Sequence, residues 1–93
     1  MNEIRIQFQG FHPSSFTQSM VDDMVHELSQ QLPLGSMLKA VFKRENKMLT
    51  AQVRVLSAAG SLFATARGPH LRDVNRRLLE RARRQLNRMR RVR

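Results

Sequence analysis

Eleven arginines lie between Arg67 and Arg93, against two acids, Asp73 and Glu80. A planar guanidinium holds a phosphate through two parallel hydrogen bonds and stacks on a base. Fourteen arginines against three lysines therefore favour phosphate chemistry over bare positive charge. The spacing is helical: on a wheel of about 100° per residue, Arg77, Arg81, Arg84 and Arg88 form one stripe beside an apolar face. Arg72, Arg76, Arg83 and Arg90 form a second stripe on the opposite flank. At about 1.5 Å per residue the first stripe spans roughly 16 Å, enough to meet several phosphates of a folded backbone. Glu80 falls between the stripes and is expected to neutralise little. A solvated surface helix usually mixes both signs of charge, whereas this segment is almost wholly positive. It reads as a rod built for a polyanion, of which nucleic acid is the commonest.

Other chemistry has little support in the residue types. His12, His26 and His70 lack metal-ligand spacing and no acid cluster accompanies them, so no metal site is expected. Asp22, Asp23 and Glu27 share the outer side of a helical segment, where a solvated acidic patch is expected rather than a paired-carboxylate catalyst. There is no Gly-rich phosphate loop and no activated-serine pattern; neither catalysis, a cofactor nor a small-molecule substrate is expected. Phe63 is the one aromatic that alternation places on an open sheet face. An RRM-type reader of unpaired bases would need two or three such rings on central strands. A strand slip, or partial cover by a neighbour, is the expectation for it.

The elements that position the arginines follow from the rest of the chain. Its 93 residues, 41% hydrophobic, suit a single domain over 1–93 with one modest core. The formal charge is +10, and residues 1–46 carry four basic and five acidic side chains while 47–93 carry thirteen and two. The first half thus reads as scaffold and the second delivers charge. There is no cysteine, which excludes disulfides and thiolate metal sites. No apolar run approaches the roughly 20 residues of a membrane span, and no signal-peptide core opens the chain. A soluble, cytoplasmic protein without membrane partners is expected.

Alternation of Ile4, Ile6 and Phe8 with polar residues predicts a strand over 3–9. After a turn at Gly10–Pro13, Ser14 and Ser15 are N-cap candidates, Ser15 with Gln18 in a capping-box pattern. A helix to about Leu32 follows, with an apolar stripe of Phe16, Met20, Val21, Met24, Val25, Leu28 and Leu32, stopped by Pro33 and Gly35. Strands are predicted over 37–44, 48–56 and 61–67, with Leu38, Ala40, Phe42, Leu49, Ala51, Val53, Val55, Leu62, Ala64 and Ala66 facing inward. Gly68 and Pro69 precede the long helix, whose apolar side is Leu71, Val74, Leu78, Ala82, Leu86 and Met89 and which ends in a frayed tail near Arg93. The order β-α-β-β-β-α predicts an α+β fold. Its four-stranded sheet carries both helices on one face, as in double-stranded-RNA-binding domains, and leaves a polar, basic face open.

That order, the strand "SLFATAR", the helix "RRLLERARRQLNRMRR" and the opening "IRIQFQGFHPSSF" together resemble the ribosome hibernation factors. This is the family of ribosome-associated inhibitor and hibernation-promoting proteins, also called sigma-54 modulation proteins. The likeness covers nearly the whole chain in topology and is strongest from Leu78 to Arg91. It implies a domain that docks on the small ribosomal subunit and occupies the channel where mRNA and tRNA anticodon stems pass, blocking translation in resting or stressed cells. The positions matching the family's basic pattern are Arg67, Arg77, Arg81, Arg84, Arg88 and Arg91, with phosphate contact to ribosomal RNA as their implied role. The chain departs from the pattern at His70, Arg72, Val74 and Asn75, where members carry an acid, an aromatic and Ala-Ile. Asn75 falls at the edge of the apolar face and needs a hydrogen-bond partner or exposure. The acidic outside of the first helix stands where members often carry lysines. Since the sequence stops after the last helix, the resemblance implies the short type, and the further domain that pairs two ribosomes in long members is not expected.

Two other readings fit the residues. A generic double-stranded RNA or DNA binder shares the α-β-β-β-α order, although the Gly-Ser-Lys-Lys-type opening of the last helix in that family is absent. A basic-helix module docking on an acidic protein is the third.

Overall fold

The computed structural model of the chain describes residues 2–91, and side chains as far as Met89. The elements are β1 (Glu3–Gln9), α1 (Ser15–Ser29), β2 (Met37–Glu45), β3 (Met48–Ser57), β4 (Gly60–Gly68) and α2 (Leu71–Arg91). The expected tail near Arg93 lies outside the described residues. The sheet runs β1-β2-β3-β4. β1 pairs in parallel with β2, whereas β2, β3 and β4 form an antiparallel meander. A parallel pair cannot be closed by a hairpin, and α1 supplies the crossover. This is the α+β architecture read from the alternation.

Strand parity sets the inner face residue by residue. Leu38, Ala40 and Phe42 of β2, Leu49, Ala51, Val53 and Val55 of β3, and Leu62, Ala64 and Ala66 of β4 are all buried. Ile4, Ile6 and Phe8 of the edge strand β1 are only partly covered. Val21, Met24, Val25 and Leu28 of α1 and Val74, Leu78, Ala82 and Leu86 of α2 complete the core. Each of the larger of these side chains stabilises the fold by about 1.5–3 kcal/mol on burial. Among the described residues no helix is long and apolar enough to cross a membrane.

Of the two cap candidates Ser14 is the cap: its Oγ accepts from the Thr17 N–H at 3.1 Å. Three details of α1 differ from the sequence expectation. The Ser15–Gln18 capping box does not form, and the Gln18 amide donates instead to the Pro13 carbonyl at 3.3 Å. The helix ends at Ser29 rather than Leu32. The N–H groups of Gln31 and Leu32 fall back to acceptors three residues behind, Leu28 and Ser29, both at 3.1 Å. Pro33 imposes this tightening, because the residue before a proline is driven out of helical geometry. Phe16 is 66% exposed rather than in the stripe. It stands about a third of a turn from Leu28 on the helix wheel, off the sector that meets the sheet.

Two joints fix the ends of the sheet. Asn2 binds both ends of the crossover: its Nδ2 donates to the Ser29 carbonyl and hydroxyl, and its Oδ1 accepts from the Ser36 N–H, all at 3.1 Å. Gly10, at φ 82, lets β1 turn away beside the end of β2, where a Cβ would lie 2.3 Å from the Arg44 carbonyl oxygen.

Candidate nucleic-acid interface

α2 lies along the outer edge of β4, and its side chains close that edge. Arg77 Nη1 donates to the Arg67 carbonyl at 3.3 Å, and Arg81 Nη1 to the Thr65 carbonyl at 2.5 Å. Gln85 matches both backbone groups of Phe63: Nε2 donates to its carbonyl at 2.6 Å, and Oε1 accepts from its N–H at 3.2 Å. The match has a simple cause. Four helical residues advance about 6 Å, and two strand residues about 6.6 Å. Positions 77, 81 and 85 therefore stay in step with 67, 65 and 63. Gly68 sets the approach: a Cβ there would sit 3.2 Å from Val74 Cγ2 and 3.6 Å from Arg77 Nη1. The arrangement also covers a strand edge that would otherwise be free to pair with another chain.

The rungs hold Arg77 and Arg81 in fixed directions and leave the next side chains outside. Among the described residues, Arg84 and Arg88 have no hydrogen bond or ion pair within the chain and are exposed. With Arg81, Gln85, Thr65 and Phe63 they line an open groove of about 300 Å³ between α2 and β4. Among the described residues no carboxylate lines it. The groove can hold phosphate oxygens between guanidinium groups that have not been neutralised beforehand.

The opposite flank of α2 differs. Arg83 makes a charge-assisted hydrogen bond to Glu27 of α1. Arg76 stands 3.6 Å from Asp73 and 3.9 Å from Glu80. Both contacts are exposed, and their energies are small. Of this stripe, Arg72 alone among the described side chains has no internal partner. Asn75, on the same helix, is 7% exposed, and its Oδ1 lacks a hydrogen-bond partner.

The remaining sequence candidates separate. Arg67 lends its carbonyl to Arg77, but its side chain lies on the open sheet face beside its pairing partner Thr50. α2 reaches Arg91, whose side chain lies outside the described residues, as does that of Arg90. Phe63 has not slipped: it stays on the open face, 45% exposed, with the Arg54 guanidinium 5.3 Å from its ring centre. Asp22, Asp23 and the three histidines are exposed, and His26 Nδ1 lies 2.8 Å from the Asp22 carbonyl oxygen. Gln85 was not a sequence candidate. Its place one helical step beyond Arg81 was the available signal.

No family model matches the chain, and no curated protein matches it by sequence. Solved structures do match. The N-terminal domain of Protein Y from Thermus thermophilus superposes with a TM-score of 0.79 at 18% identity, over 95% of this chain and 98% of that one. A ribosomal subunit interface protein from Coxiella burnetii superposes with a TM-score of 0.78 at 16% identity, over 97% of this chain and 98% of that one. At these identities the likeness is one of fold, and the chain has the fold of the Protein Y N-terminal domain.

Proposed function

We propose that this chain binds the small ribosomal subunit through ribosomal RNA phosphates and fills the channel for mRNA and tRNA. Translation is thereby inhibited, and idle ribosomes are preserved in stress or stationary phase. The observation that carries the proposal is the β4-side flank of α2. There Arg77 and Arg81 are braced on a strand edge while Arg84 and Arg88 stand unpaired over a groove free of carboxylates. Two further lines support it: the resemblance of the α2 text to hibernation factors, and a fold shared with a ribosomal subunit interface protein.

The mechanism is occlusion by a rigid body. Braced guanidinium groups lose little side-chain freedom on binding, so more of each phosphate contact appears as affinity. Arg67 and Arg91 take the same phosphate-contact role by their match to the family's basic pattern. The working compartment is the cytoplasm, and the chain has no catalytic role.

The test is a sucrose gradient of stationary-phase extract. The wild-type chain is expected with the small subunit or with whole ribosomes, and the Arg84→Glu/Arg88→Glu variant at the top of the gradient with its circular dichroism unchanged. A wild-type chain found only in the soluble fractions, or a folded double variant that still co-sediments, would remove the proposal. Equal affinity for plain duplex RNA and for subunits would leave only a generic nucleic-acid binder.

A further inference from the structure

The groove beside α2 opens onto the uncovered face of the sheet, and the two surfaces share Phe63. Strand register sets a row across all four strands on that face: Arg5, Lys39, Arg54 and Phe63. Adjacent strands lie about 4.8 Å apart, so the row spans roughly 14 Å. Its neighbour is Glu3, Met37, Leu56 and Ser61, in which Met37 and Leu56 are 46% and 52% exposed. Between the rows is a hollow of about 240 Å³, with Met37 and Leu56 among its apolar lining and Arg5, Lys39 and Arg54 among its cations. Two carboxylates lie on this face: Glu3, which lines the hollow and is paired with Arg5 at 3.0 Å, and Glu45 at the hairpin. Among the described residues Lys39 has no partner, and Arg54 is occupied only by the Phe63 ring.

A flat apolar floor, one exposed ring and a row of cations suit a ligand with planar apolar faces joined by negative charges. Single-stranded nucleic acid has that chemistry, since bases stack on aromatic and apolar side chains while phosphates track cations. A second copy of this chain would bring like charges together. A duplex presents its bases already stacked and could not use Phe63.

We propose that the open sheet face binds an unpaired nucleic-acid strand that leaves the α2–β4 groove, stacks a base on Phe63 and passes its phosphates to Arg54 and Lys39. This rests on the reading of the groove as a phosphate site and adds what its partner must offer: a looped or single-stranded segment adjoining the phosphates held by Arg84 and Arg88.

The chain has no Trp and no Tyr, so Phe63→Trp introduces a lone fluorophore at the junction. A 12-nucleotide unstructured RNA and a duplex of equal length serve as probes, with folding of every variant checked by circular dichroism. Base stacking predicts quenching of the Phe63→Trp emission by the single strand and not by the duplex. Phe63→Ala should weaken single-strand binding about 5- to 100-fold, and at least about fivefold more than it weakens duplex binding. Lys39→Gln/Arg54→Gln should reduce the single-strand salt slope by about 1.4, at roughly 0.7 per phosphate.

Unquenched emission at saturation, equal loss for both probes with Phe63→Ala, or an unchanged salt slope would overturn the proposal. So would a polyglutamate peptide that competes as well as the RNA. Arg84→Glu/Arg88→Glu separates the two claims: if it leaves both probes bound, the groove reading fails, whereas if it weakens both while Phe63→Ala weakens neither, only the sheet-face proposal fails.

Discussion

The two flanks of α2 carry similar numbers of arginines and have different electrostatic surroundings. Toward α1, Arg83 meets Glu27 and Arg76 stands between Asp73 and Glu80. Toward β4, among the described residues, Arg77 and Arg81 meet only neutral carbonyls, and Arg84 and Arg88 meet no partner. A carbonyl directs a guanidinium without cancelling its charge, whereas a carboxylate cancels it. The availability of an arginine for an external phosphate is therefore set by what its neighbours are made of, and a count of arginines along the helix does not reveal it.

The largest expected effect comes from reversing the open flank. Arg84→Glu/Arg88→Glu removes two charge-assisted contacts of about 1.5–3 kcal/mol each. Ribosomal-subunit affinity should fall at least about 100-fold, measured by co-sedimentation titration at fixed salt. The same reversal at Arg76 and Arg83 should cost less than about tenfold, and equal losses would break the contrast between the flanks.

Next is the brace itself. Gln85→Leu leaves the N–H and carbonyl of Phe63 to solvent. Because these bonds are exposed, the loss should be about 1 kcal/mol in urea unfolding, with faster amide exchange at Phe63. Unchanged exchange would mean that Gln85 does not hold the edge.

The α1-side flank offers two smaller tests. Asn75→Leu replaces a buried oxygen that has no partner with an apolar group of similar size, and should raise stability by about 1 kcal/mol while leaving RNA affinity unchanged. A loss of stability would show that Asn75 is satisfied by a group outside the chain. Glu27→Gln frees Arg83. RNA affinity should rise no more than about threefold, and stability should fall by less than about 1 kcal/mol, since the pair is half exposed. A larger gain in affinity would mean that the α1-side flank touches RNA.

Much of the fold was legible because it repeats locally. Parity alone assigned Leu38 to Phe42, Leu49 to Val55 and Leu62 to Ala66 to the inner face, and the helix wheel separated the two arginine stripes. What was missed depends on groups distant in the sequence. The pairing of Arg83 with Glu27 joins residues 56 apart, and that of Gln85 with Phe63 residues 22 apart. Neither leaves a local periodic trace. Ser14 and Ser15 are equally good caps by type, and only the path of the chain through Pro13 selects between them. Phe16 was misplaced because an apolar residue near a helical stripe need not share its sector. The tie made by Asn2 between Ser29 and Ser36 requires the crossover to be already folded.

The most direct measurement is the salt dependence of small-subunit binding for two neutralised pairs, Arg84→Gln/Arg88→Gln and Arg76→Gln/Arg83→Gln. The first pair should lower the slope of log K against log salt by about 1.4–1.8, two phosphates at roughly 0.7–0.9 each, and the second should leave it unchanged. Equal reductions from both pairs, or none from the first, would contradict the account.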